Sequence, residues 1–263
     1  MKNILWITTS LILTYIMIVG GLYFSQEALI FMSTELPEDY QYAFETPFEE
    51  ITLEAEDSAK LNALYFKQDD PKGLIVYFHG NAGDLSRWGS MVSPLVKHQY
   101  EVLIMDYRGY GKSKGNRTSR LMYHDATLIY QEAKRRMPEE KIILYGRSLG
   151  CAFASYLAAK NTPRKLILET PFYSLKDLVS NKYPWLPAAR LLKFHFPNHQ
   201  YIREVECPVS IFHGTADDVV PYENGFQLYQ EANNAQMISI SGGKHNNLSD
   251  FEKYQKELTE VLE

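Results

Sequence analysis

Hydrophobic and polar positions along this chain follow two regimes. From Ile4 to Phe24 run 21 residues without a charge, relieved only by Thr8, Thr9, Ser10 and Thr14. As a helix this run reaches about 31 Å, enough to cross a hydrocarbon core. It lacks the polar face of a soluble surface helix, and Trp6, Tyr15 and Tyr23 are aromatics of the type that anchor at membrane interfaces. An uncleaved transmembrane anchor is therefore expected over residues 1–24. The alternative is a signal peptide cut near Val19-Gly20-Gly21, against which the apolar run continues through Leu22, Tyr23 and Phe24. Residues 25–47 read as a polar connector, with Pro37 and Pro47 as breakers.

Beyond that point short apolar runs alternate with helical stretches. Phe48–Glu56 and Lys60–Lys67 alternate as half-buried strands do, around the turn residues Asp57-Ser58. Leu74–Phe78, Val102–Met105, Ile142–Tyr145, Leu166–Leu168, Val209–Phe212 and Met237–Ile240 are continuous apolar runs, the pattern of strands buried on both faces. Between them Leu85–His98, Ser119–Met137, Leu149–Lys160, Tyr222–Glu231 and Leu248–Leu262 carry helical patterns. This alternation predicts an α/β domain over residues 48–263, with a mostly parallel eight-stranded sheet flanked by helices. Pro171–Glu206 breaks the pattern. Its 36 residues, rich in aromatics and prolines, are too long for a plain loop and predict a small cap.

Composition narrows the functional classes. Of 263 residues 45% are hydrophobic and 22% charged, which is globular and excludes a disordered or fibrous chain. A net charge of −5 offers no electrostatic case for nucleic acid. Cys151 and Cys207 cannot build a disulfide framework and lack zinc-ligand spacing. Pro197 breaks the helix that would bring His195 and His199 together, so neither a metal nor a cofactor is expected. Residues 1–59 hold Lys2 against ten acids, and no Lys or Arg follows the apolar run until Lys60. The positive-inside rule then places the N-terminus in the cytoplasm and the body outside it, in the periplasm or extracellular space. A cleaved signal would instead make the body a secreted protein.

Ligands of open parallel sheets sit beyond the carboxyl ends of the strands. There the chain places Gly146-Arg147-Ser148-Leu149-Gly150, a G-x-S-x-G in the strand–turn–helix setting this motif requires. Two further strand-end loops are His213-Gly214-Thr215-Ala216-Asp217-Asp218-Val219-Val220-Pro221 and Gly242-Gly243-Lys244-His245-Asn246-Asn247. A serine hydroxyl becomes a useful nucleophile when an imidazole takes its proton and a buried carboxylate orients that imidazole. The loop Phe78-His79-Gly80-Asn81-Ala82-Gly83 can supply one oxyanion donor, the N–H of Asn81, and the residue after the serine, Leu149, the other. His79 and His213 are read as hydrogen-bonded structural residues and Asp218 as solvent-facing.

These motifs, with Asp106-Tyr107-Arg108-Gly109-Tyr110-Gly111-Lys112-Ser113, resemble the α/β-hydrolase superfamily over roughly residues 25–260. Within it they resemble the Bem-type bud-emergence group, which is similar to membrane-associated α/β-hydrolase-domain thioesterases. The resemblance implies Ser148 as nucleophile, Asp217 as acid and His245 as base, and an ester or thioester substrate. Phe172, Tyr173, Trp185, Leu186, Phe194 and Phe196 of the cap are candidates to line an apolar acyl pocket, against the alternative that they only pack the cap onto the sheet. Two other functions stay open: a serine aminopeptidase-like hydrolase, and a catalytically silent, membrane-tethered interaction protein that keeps the fold.

Overall fold

The apolar runs do become strands, and their order in space follows from burial. The computed structural model describes residues 2–263. Helix α1 (Lys2–Ile30) leads into a two-residue strand β1 (Met32–Ser33). Then follow β2 (Phe48–Glu54), β3 (Lys60–Phe66), β4 (Gly73–Phe78), β5 (Ala82–Gly83), α2 (Leu85–Val92), β6 (Tyr100–Met105), α3 (Ser119–Arg136), β7 (Ile142–Arg147), α4 (Gly150–Lys160) and β8 (Lys165–Glu169). The cap holds α5 (Leu175–Lys182), α6 (Ala188–Leu191) and α7 (Asn198–Ile202). The chain closes with β9 (Val209–Gly214), α8 (Tyr222–Glu231), β10 (Ala235–Ile240) and α9 (Glu252–Leu262).

The main sheet has eight strands in the order β10-β9-β8-β7-β4-β6-β3-β2. Only β3 runs against its neighbours β2 and β6. Leu74, Val76 and Phe78 of β4 face a core shared with α3, α4 and α8, while Ile75 and Tyr77 face one shared with α2 and α9. Every residue of β4, β7 and β9 is buried, which is why these segments carry no polar alternation. At one edge β2 presents Glu49, Glu50 and Glu54, charges that discourage another strand from pairing there.

Two departures from the sequence reading bear on the site. The apolar helix does not stop at Phe24 but continues to Ile30, because Ser25–Leu29 hold no helix breaker. The connector, read as polar, also packs on the domain. Phe31 is buried against Phe194, with ring centroids 4.7 Å apart. Met32 and Ser33 pair in parallel with Ala82 and Gly83, and Tyr42 is buried with its hydroxyl donating to Asn62 at 2.8 Å. The segment that follows α1 is thus stitched to the loop after β4 and to β3.

Candidate active site

Strands β4 and β7 are parallel neighbours in register Phe78↔Gly146, so the loops that follow them emerge side by side. That register brings Asn81 and Ser148 to one end of the sheet. Ser148 takes φ +51°, a left-handed conformation that a side chain adopts only under strain, and its N–H donates to Glu169 O at 2.9 Å. The flanking glycines are required by contact. A Cβ on Gly146 would stand 2.6 Å from Cys151 Cα, and one on Gly150 would stand 1.9 Å from Phe78 O. The tight elbow lifts the hydroxyl clear of the sheet and seats α4 directly on β4.

Around that hydroxyl three predicted residues meet. His245 Nε2 lies 3.0 Å from Ser148 Oγ, and His245 Nδ1 lies 2.8 Å from Asp217 Oδ2. The other Asp217 oxygen accepts the N–H groups of Val219 and Val220, each at 2.9 Å. Hydrogen bonds to both carboxylate oxygens fix its orientation. Asp218 is exposed, as expected. His213 Nε2 donates to Val220 O at 2.9 Å and sits 3.4 Å from Asp217, so its ring braces the acid loop. His79 is held in the core, with Nδ1 donating to Gly80 O at 2.7 Å. Arg108 is likewise structural, tied to Asp57 and Asp125.

Asn81 and Leu149 both border the cavity at Ser148, and among the described residues neither of their backbone N–H groups donates to another atom. Free donors beside a raised hydroxyl are what an oxyanion site needs.

The cavity itself has a volume of about 560 Å³. Phe172, Trp185 and Leu186 border it, together with Leu175, Val179 and Leu192 of the cap. Tyr173 does not. Its hydroxyl donates to Glu231 at 2.8 Å and its ring stacks on His199, so it is corrected from a pocket residue to a tie between cap and α8. Phe194 and Phe196 are also absent from the lining: both are buried in the core, with Phe196 against Phe153 and Tyr123.

Two contributions were not read from the sequence. Arg147, the unspecified position of the motif, is buried with Nε 3.2 Å from Glu169 and reaches His245 O at 3.4 Å, joining the elbow to the histidine loop. Glu169 is further held by the hydroxyls of Tyr145 and Tyr254 at 2.6 and 2.9 Å. The second is α1, whose Ile18, Leu22, Gln26, Leu29 and Ile30 form one wall of the cavity. Continuous hydrophobicity gave no sign of a face turned toward protein.

A mostly parallel eight-stranded sheet with a serine on its central strand–helix elbow defines an α/β-hydrolase. More narrowly, the chain belongs to the family described as serine aminopeptidase, S33, whose pattern matches residues 69–203, about half of the chain. An uncharacterized protein of Mycobacterium tuberculosis is 33% identical over 176 residues, which span 65% of this chain and 63% of the relative. The lysophosphatidylserine lipase ABHD12 of Danio rerio is 33% identical over 193 residues, covering 65% of this chain and 50% of the lipase. An uncharacterized mimivirus protein, R595, is 30% identical with 75% of each chain covered. The chain therefore spans only half to two-thirds of some of these relatives. Among solved structures, the Pyrococcus furiosus esterase Pf2001 superposes with a TM-score of 0.68 over 88% of this chain and 97% of its own, at 18% identity. Est1E of Butyrivibrio proteoclasticus, bound to ferulic acid, gives 0.64 over 81% and 96% at 20% identity. Likeness at this level of identity is a likeness of fold.

Proposed function

We propose that this protein is a membrane-anchored serine hydrolase that cleaves carboxylic esters or thioesters of acyl chains through an acyl-serine. The observation that carries the reading is the unbroken line Ser148 Oγ, His245 Nε2, Asp217 at 3.0 and 2.8 Å, opening onto an apolar cavity. In the first step Ser148 Oγ attacks the carbonyl carbon while its proton passes to His245 Nε2. Asp217 stabilises the imidazolium through Nδ1. The oxyanion forms opposite the Asn81 and Leu149 N–H groups, donors of a kind worth about 2.7–4 kcal/mol each in other enzymes. Collapse expels the alcohol or thiol, which takes the proton from His245. Water, deprotonated by His245, then attacks the acyl-serine and releases the acid.

The aminopeptidase reading is weaker. Such an enzyme must recognise a free α-amino group, yet no Asp or Glu is among the described residues that line the cavity. An acyl chain fits that lining. The lipase name of the Danio rerio relative agrees with an amphiphilic ester, and the motif resemblance to membrane-associated thioesterases extends the reading to acyl thioesters. We place the N-terminus in the cytoplasm and the body outside it, on the charge pattern around α1.

A fluorophosphonate probe should label Ser148, and p-nitrophenyl esters should be hydrolysed. Ser148→Ala should lose both, with the rate down about a thousandfold or more. Retained hydrolysis would remove the serine mechanism. A wild type that neither labels nor hydrolyses would favour the silent interaction protein.

A further inference from the structure

Helix α1 is joined to the catalytic body along half its length. Tyr15 donates its hydroxyl to Trp185 O at 3.1 Å. Gln26 donates to Leu191 O at 3.0 Å and accepts Lys193 N–H at 2.7 Å, while Glu27 pairs with Arg117 at 2.9 Å. These ties turn Ile18, Leu22 and Leu29, spaced on one helical face, into the cavity that holds Ser148.

The docking has a consequence for depth. The uncharged run is about 31 Å long as a helix, and Tyr15 to Phe24, which lie beside the cap, account for about 15 Å of it. The remainder, Ile4 to Thr14, reaches only about half of a hydrocarbon core about 30 Å thick. The helix can span only if the cap tip enters the near leaflet. The surface there agrees: Trp185 is 51% and Phe24 80% exposed. Lys193, whose Nζ lies 4.3 Å from the Tyr23 ring centre, stands where a cation would meet headgroups.

We propose that α1 is a wall of the acyl site and not only a tether, and that the cavity opens sideways into the bilayer, so that the substrate is an acyl amphiphile drawn from the membrane plane. This inference rests on the hydrolase reading above. The acyl chain lies along Leu22 and Ile18 toward the hydrocarbon, and its carbonyl reaches Ser148 at the protein end. Chain-length preference is then set by α1 as well as by the cap.

The test uses the full chain in phosphatidylcholine vesicles with p-nitrophenyl acetate, octanoate and laurate. Leu22→Trp, which narrows the cavity, should lower the laurate-to-acetate ratio of kcat/KM about tenfold or more. Met17→Trp, on the far side of the helix and 68% exposed, should leave the whole series unchanged. Identical profiles for Leu22→Trp and Met17→Trp would overturn the inference while Ser148-dependent hydrolysis left the enzyme reading standing. If Leu22→Trp no longer labels with fluorophosphonate, Leu22→Ala decides. The wider cavity should raise the laurate-to-acetate ratio, and an unchanged ratio refutes the wall. Absence of any Ser148-dependent hydrolysis overturns both readings.

Discussion

Asp217 shows how opposing terms are settled at one residue. Burial alone would raise its carboxyl, but hydrogen bonds from His213 and His245, the charge on His245 and the Val220 N–H outweigh it and hold the group well below the usual carboxylate range. The sign for stability follows. The unfolded chain binds a proton at Asp217 near pH 4, whereas the folded chain binds it only at lower pH. The contribution is therefore complete above about pH 4 and is lost as pH falls toward the folded value. We predict that Asp217→Asn flattens this acid limb: the stability gap between wild type and variant, measured by urea unfolding, should shrink as pH drops from about 5 to 2. Parallel curves would assign the acid limb to other carboxylates. At neutral pH the same variant should hydrolyse esters on the order of 10⁴-fold more slowly, because an amide inverts the histidine tautomer.

Among the elements α1 is the one whose role changes most once its contacts are seen. Its polar contacts with the body run from Tyr15 to Glu27, while Ile4 to Thr14 are exposed. Gln26 is the centre of that grip, buried and bonded to Tyr23 O, Leu191 O and the Lys193 N–H. Gln26→Leu removes the half-buried hydrogen bonds to the Leu191 carbonyl and from the Lys193 N–H, each worth about 0.5–1.5 kcal/mol. That energy falls on the α1–cap junction and not on the sheet. Limited proteolysis should therefore cut near Leu191–Lys193 faster in the variant, while cleavage within the sheet domain stays at the wild-type rate. Equal cutting at the junction would show that apolar contact alone holds α1.

For the whole molecule, the cavity is assembled from parts far apart in the chain: α1, the loop after β4, the elbow after β7 and the cap. In the proposed membrane-anchored enzyme, α1 and the body keep a fixed relation, and the side on which the body lies decides which leaflet supplies substrate. On the N-terminal charge pattern we propose the outer side. Protease added to intact cells with a permeable outer barrier should digest the sheet domain. Protection until the cells are lysed would reverse the orientation without touching the contacts of α1.

What the amino-acid sequence determined by itself was whatever depends on local chain chemistry. The inner strands were legible because burial on both faces leaves an unbroken apolar run. The elbow was legible because its glycines answer contacts of 1.9 and 2.6 Å at Gly150 and Gly146 that any side chain would violate. Tertiary structure decided which way side chains turn once segments pack. It placed Phe172 at the cavity and its neighbour Tyr173 away from it, and sent Phe194 and Phe196 into the core. It paired Arg147 with Glu169 across the β7–β8 register. The largest such decision concerns α1. A uniformly apolar helix has no pattern to say which face meets protein, so only its docking on the cap could turn Ile18, Leu22 and Leu29 toward Ser148.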